Sequence, residues 1–358
     1  MGFVEGVVRA VPILFALSSP LLAAHAEELS TPAMGVHFNF EFDTARIVST
    51  AVNSGDFDEA RFADFCTWPD AKALLKKMRL KDCDALLAHL KSLRKNKKSV
   101  AAAELLTTEL NKPDNGRYAP LAAEVARQIR EYIPSDFSAN LTVHFIFGSH
   151  SGGFAFDDVP DDVYVNLARF SDATTQELAE TVAHELFHAV QTHIMKPESL
   201  PKAQGPASKT GPVWLNHVLA NLAQEGTAEL FTHPIADRPP TPYSSRRKLG
   251  IERNASRIRS LVHMFETLGW RLLYVPPNDE EAYDQIYGLM FYTDFDETAY
   301  DLGWLMASTI AKKDGKMAIF ELLKQDPKNF LIRYQAIALA DGKLPVFSTE
   351  FMQAVTAI

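Results

Sequence analysis

Thr174-Thr175-Gln176-Glu177-Leu178-Ala179-Glu180-Thr181-Val182-Ala183-His184-Glu185-Leu186-Phe187-His188-Ala189-Val190-Gln191 is the stretch that decides how the rest of the chain is read. It begins as a helix should. Thr174 with Glu177 three positions on forms a capping box, in which each side chain satisfies a backbone N–H of the first turn. Leu178, Val182, Leu186 and Val190 then recur every four residues, the apolar stripe of a buried helix. Neither Gly nor Pro interrupts the run from Thr174 to Met195. On a helix, residues four apart share a face, one turn above the other. His184 and His188 can therefore aim two imidazoles at one point, with Glu185 beside them. His-Glu-x-x-His supplies two neutral nitrogen ligands, an open coordination position and a general base, the needs of a zinc hydrolase.

A catalytic zinc also needs a third protein ligand. Downstream the chain offers His193, His217, Glu225, Glu229 and His233. Val213 to Phe231 reads as a second long helix, and it carries Gln224-Glu225-Gly226-Thr227-Ala228-Glu229. Glu225 and Glu229 share one face of it. Glu225 is the expected ligand, and Glu229 the acceptor for the outer N–H of a ligating His, which fixes tautomer and basicity. Gly226 and Ala228 are small enough to let this helix approach the first.

H-E-x-x-H followed on a later helix by E-x-x-x-[DE] resembles the gluzincin zinc metallopeptidases. The local text, His-Glu-Leu-Phe-His-Ala-Val-Gln and then Glu-Gly-Thr-Ala-Glu, looks like an uncharacterised branch of zinc-dependent peptidases. The resemblance covers residues 140 to 231 and thins beyond them. It implies His184, His188 and Glu225 as zinc ligands, Glu185 as base and Glu229 behind the ligands. It also implies a Tyr or His from the lower helical half on the oxyanion. Tyr300, with Gly303 permitting close packing, is the candidate, in competition with Tyr283, Tyr287 and Tyr292. The 36 residues between His188 and Glu225 exceed the spacing of the best-known gluzincins.

The chain of 358 residues is 47% apolar, long enough for a substantial core. A net charge of −9 argues against nucleic acid and against an anionic membrane surface. Arg9, an apolar run from Val11 to Leu22 and the Ala24-His25-Ala26 site read as a signal peptide. The run is too short for a stable membrane anchor. The expected product is exported, periplasmic or secreted, after cleavage near Ala26. Cys66 and Cys83 then form a disulfide or stay as two buried thiols, and spacing alone leaves both open.

Three segments are expected: the signal peptide 1–26, a helical N-terminal region 27–135, and a zincin-like domain 136–358. Phe38, Phe40 and Phe42 alternate as in a strand. Helices are expected at 44–53, 58–65, 69–79, 82–95, 99–110 and 121–132. Asn140 to Phe147 and Asp162 to Leu167 read as strands around a Gly-rich turn at 148–153. Lys196 to Pro212 reads as a surface loop. One helix is expected at 244–268, with a solvated cationic face or one Arg reading a substrate carboxylate. Others follow at 279–290, 298–312, 317–323, 327–339 and 348–355. The expected fold class is α+β and mostly helical: a small sheet over the His-Glu-x-x-His helix, with a helical lower half. The expected function is that of an exported zinc metallopeptidase acting on a peptide or protein. The alternatives are a zinc hydrolase of a non-peptide amide or ester, such as a cell-wall component, and a non-catalytic binding protein on a zincin scaffold. Oligomeric state is not readable from the sequence.

Overall fold

The computed structural model describes residues 29–30, 35–58, 62, 64–110, 112, 117–196 and 210–358. The expected signal peptide, most of the 196–212 loop and part of the helix expected at 58–65 lie outside the described residues. The fold is α+β and mostly helical. Strands β1 (Leu29–Ser30), β2 (Gly35–Glu41), β3 (Ser138–Ile146), β4 (Gly153–Phe156) and β5 (Val159–Asn166) form one sheet in the order β1-β2-β3-β5-β4. β2, β3 and β5 run parallel, while β1 and β4 pair antiparallel at the two edges. β2 thus hydrogen-bonds β3 across the 135/136 boundary expected from the sequence.

Successive side chains of a strand face opposite sides, and both sides of this sheet are covered. Leu141, Val143 and Phe145 of β3, with Val163 and Val165 of β5, join the larger core beneath. Ile146, Phe154 and Tyr164 join a second core above. The upper core is closed by α1 (Asp43–Ser54), α2 (Pro69–Lys77), α3 (Cys83–Ser92) and α4 (Lys97–Leu110). Cys66 and Cys83 are disulfide-bonded, closing the loop that carries α2.

Beneath the sheet lie α5 (Tyr118–Arg130), α6 (Thr175–Ile194) and α7 (Gly211–Thr232). The lower half continues with α8 (Ser245–Ser256), α9 (Ile258–Tyr274), α10 (Glu280–Phe291), α11 (Thr298–Asp314), α12 (Met317–Leu323), α13 (Lys328–Asp341) and α14 (Thr349–Ala357). Where one helix was expected at 244–268, the chain breaks at Arg257, whose side chain bonds Asn254 and Asp296 instead of continuing a solvated face. β4 was also not expected. Its Phe154 and Phe156 face the upper core, while Gly153 and Ala155 face α6, so the Gly-rich stretch ends as an edge strand. Among the described residues no helix is long and apolar enough to cross a membrane.

Candidate metal centre

α6 starts where the capping box places it. The Thr174 hydroxyl accepts from the Glu177 backbone N–H at 3.2 Å, and the Thr174 N–H donates to Glu177 Oε2 at 2.8 Å. Leu178, Val182, Leu186 and Val190 lie in the core, which turns His184, Glu185 and His188 toward α7 and the sheet edge. Nε2 of His184 and Nε2 of His188 are 3.1 Å apart. Glu225 Oε2, from α7, lies 3.3 Å from the His188 nitrogen and 3.7 Å from that of His184. Ligand atoms of all three residues lie within 4.8 Å of one another.

The other third-ligand candidates are elsewhere. His193 bonds Asp161 at 2.8 Å, His217 bonds the Tyr283 hydroxyl, and His233 stacks on Trp304. Glu229 Oε1 stands 4.0 Å from His184 Nδ1, beyond hydrogen-bonding distance, and that nitrogen is buried with no hydrogen-bond partner. Gln191 was not assigned a role from sequence. Its Oε1 accepts from or faces His188 Nδ1 at 2.8 Å, while its Nε2 donates to Gln224 O and Thr227 Oγ1, both at 2.8 Å. It orients His188 and fastens α6 to α7. Its signal was its place three residues after His188, on the same helix face.

Gly226 does not serve the α6 contact expected of it. A Cβ there would lie 2.4 Å from Cα and C of Gly303, so α7 and α11 cross backbone to backbone. That crossing brings Tyr300 and Asp301 to the level of Glu225 and Glu229. Tyr300 is half-buried, and burial with the nearby Glu225 charge pushes its hydroxyl well above the ordinary tyrosine value. The competing tyrosines are engaged: Tyr283 with His217, Tyr287 with Asn221 at 3.1 Å, and Tyr292 with Asp284. Among the described residues no hydrogen bond occupies the Tyr300 hydroxyl.

Glu185 is buried at the base of β4. A Cβ on Gly153 would lie 2.3 Å from its Oε1, so the edge strand touches this carboxylate with nothing between. Burial raises the Glu185 carboxyl above its ordinary range against the pull of His184 and His188. Burial likewise opposes the charge on His188, but Glu225 and Glu185 overcome it and raise the imidazole to about 9. Glu185 and Glu225 stand beside the two imidazoles, and behind them Glu229 and Asp301 meet at the half-buried guanidinium of Arg247. Two imidazoles and a carboxylate converging in an anionic pocket, with His184 Nδ1 unpartnered, fit a borderline-soft divalent cation, which would displace the proton that the carboxylates hold on His188.

Two imidazoles and one carboxylate that could hold a metal ion, with a second carboxylate at the edge of a sheet, form the kind of donor set that a catalytic zinc uses. The family described as "Putative zinc dependent peptidase (DUF5700)" matches residues 69–343. The chain belongs to this family. No curated protein and no solved structure matches it.

Proposed function

We propose that the chain is a zinc metallopeptidase of gluzincin type, with His184, His188 and Glu225 as ligands, Glu185 as general base and Tyr300 on the oxyanion. The observation that carries this reading is the convergence of the three ligand atoms within 4.8 Å, from two helices joined through Gln191. Zinc there would polarise the scissile carbonyl and activate the attacking water. Glu185 takes the water's proton and passes it to the leaving amine; its raised carboxyl affinity suits both halves of that task. The Tyr300 hydroxyl donates to the oxygen on which negative charge develops. β4, against Glu185, is an edge strand with no further strand beside it among the described residues, and an extended peptide would pair with it as the next strand. The Cys66–Cys83 disulfide supports an oxidising compartment and hence export.

The test is the zinc content of the purified protein beside three variants. One zinc per chain is expected in the wild type, in His217→Ala and in Glu185→Gln, and none in Glu225→Ala. Glu185→Gln should lose nearly all hydrolysis of a labelled protein substrate. A zinc-free wild type after refolding with excess metal, or an active Glu185→Gln, would remove the mechanism.

A further inference from the structure

Behind the metal-facing residues lies a layer that the mechanism above leaves unused. Arg247 of α8 neither joins a solvated face nor points at the cleft. Its Nη2 donates to Glu229 Oε2 at 3.1 Å and to Asp301 Oδ1 at 2.8 Å. Those two carboxylate side chains are only 7% and 4% exposed. The other oxygen of Glu229 is the one that faces His184 Nδ1 at 4.0 Å. The other oxygen of Asp301 accepts from the fully buried Asn254 amide at 2.6 Å. Asp301 directly follows Tyr300. One cation therefore touches the carboxylate behind the His184 imidazole on α7 and the carboxylate beside Tyr300 on α11.

α8 also fixes the start of α11 by a second route. Asp296 and Glu297, the two residues before that helix, both lie in the left-handed region at φ 67° and 49°. Neither is glycine, and a strained pair persists only when its surroundings over-determine it. Asp296 is held by Arg253, by Arg257 at 2.7 Å and, through its carbonyl, by Asn254 at 2.9 Å. Also near Arg247 among the described residues are Glu297 at 4.0 Å and His233, 3.9 Å from Asp301, whose imidazole burial pushes down to about 4 and so leaves neutral.

We propose that Arg247 is a positioning residue of the metal centre, keeping the Glu229 carboxylate behind the His184 imidazole, 4.0 Å from its Nδ1 and placed to accept from it once a metal takes Nε2, and tying it to the Asp301 anchor of Tyr300. An imidazole on α6 and a hydroxyl on α11 are thereby kept in one register. A guanidinium suits this role because Nη2 carries two N–H groups fixed in one plane, one for each carboxylate, and keeps its charge when half-buried; an ammonium on a flexible stem is a freely rotating point charge. Without a cation, Glu229 and Asp301 would repel each other in a buried site and turn away.

This inference rests on the zinc reading. Its test measures the zinc dissociation constant of the full chain by competition with a chromophoric chelator. Arg247→Met and Arg247→Lys are made in the wild type and in a Glu229→Gln background. Loss of an outer partner of a metal ligand weakens metal binding by about 10–100-fold, and that loss is expected for Arg247→Met. Arg247→Lys should recover part of it. In the Glu229→Gln background Arg247→Met should cost less than about 3-fold more, because the two residues act as one unit. The visible spectrum of the cobalt-loaded protein should change in Arg247→Met as His184 loses its fixed orientation. A merely structural Arg247 would lower the unfolding midpoint and leave the dissociation constant and the cobalt spectrum as in the wild type; that result overturns the proposal. Should Arg247→Met not fold, Arg247→Lys decides, and a wild-type constant and spectrum in it overturn the proposal equally. A wild type that binds no zinc removes both readings, whereas a zinc-binding wild type with indifferent Arg247 variants removes only this one.

Discussion

Gly153→Ala separates the base from the metal. A Cβ at Gly153 would stand 2.3 Å from Glu185 Oε1 and 2.5 Å from its Cδ and Cγ, and these are the three nearest atoms. Ordinary contact needs more than 3.4 Å, so about 1 Å of movement is required of one partner. Cγ is close to the backbone of α6, whose neighbours Leu186 and Val182 are fully buried, so the helix cannot retreat. The carboxylate must swing, or β4 must lift. Misplacement of a reacting group by about 1 Å costs on the order of 10²-fold in rate. Hydrolysis of a labelled protein substrate should fall by about that factor, with one zinc per chain retained. Gly152→Ala is the control: its nearest neighbour would be Phe170 Cζ at 3.6 Å, an ordinary contact, and activity should stay near that of the wild type. Full activity in Gly153→Ala, or equal damage from Gly152→Ala, would refute the placement of Glu185 against the edge strand.

The other predictions concern stability. Gly226→Ala puts a methyl 2.4 Å from the Gly303 backbone; overpacking of about 1–3 kcal/mol or more should outweigh a helix gain of about 1 kcal/mol, lowering the urea midpoint and displacing Glu225. Gly250→Ala, with nothing within 4 Å of the added Cβ, should raise that midpoint through helix propensity alone, and a fall would contradict the packing. His144 on β3 lies 2.8 Å from Asp70, 3.2 Å from Glu41 and 3.4 Å from Asp162. Burial opposes its charge, but Asp162, Asp70 and Glu41 overcome it and raise the imidazole to about 11. A raised folded value means that this stabilisation is complete below the unfolded value of about 6.5 and is lost as pH rises toward 11. The gap between the urea midpoints of the wild type and His144→Gln should therefore narrow steadily as pH rises from about 6.5 toward about 11; a constant gap would show that His144 does not carry the charge assigned to it.

The parts of the fold legible in the sequence were those with a period. The Leu178-Val182-Leu186-Val190 stripe and its capping box placed α6 to the residue, because Thr174 and Glu177 satisfy each other locally. Glu225 and Glu229 were legible as a pair because a helix puts residues four apart on one face. β4 was not legible: four residues from Gly153 carry too short an alternation, and only their antiparallel pairing with β5 makes them a strand. The roles of Gly226, Arg247 and Gln191 were hidden for a different reason. Each depends on a partner from another helix, Gly303, Asp301 or Thr227, and no local spacing announces a contact made by tertiary packing. The arginines of α8 read as a solvated face because nothing local says that Glu229 and Asp301 await one of them.

The electrostatics bear on whether the site is catalytic or only a scaffold. A carboxylate buried without a cation shifts toward its neutral form at a cost to folding, and proteins shed such groups where nothing needs them. Glu225 and Glu229 have compensation: burial would raise both, but His188 holds the first, and Arg247 with His184 the second, below the ordinary carboxylate range. Glu185 has only the pull of His184, His188 and Lys77, which does not outweigh its burial. It is raised by burial, stands beside a glycine that leaves it room, and makes no hydrogen bond among the described residues. A scaffold that merely held a metal would gain by replacing Glu185 with an apolar residue, since the three ligand positions do not require it. Retaining a poorly compensated carboxylate beside two imidazoles and an open sheet edge makes sense for a group that must accept and return a proton. Glu185→Leu should accordingly fold at least as stably as the wild type by urea denaturation, keep its zinc, and hydrolyse nothing; a marked loss of stability in it would make Glu185 a structural residue and weaken the catalytic reading.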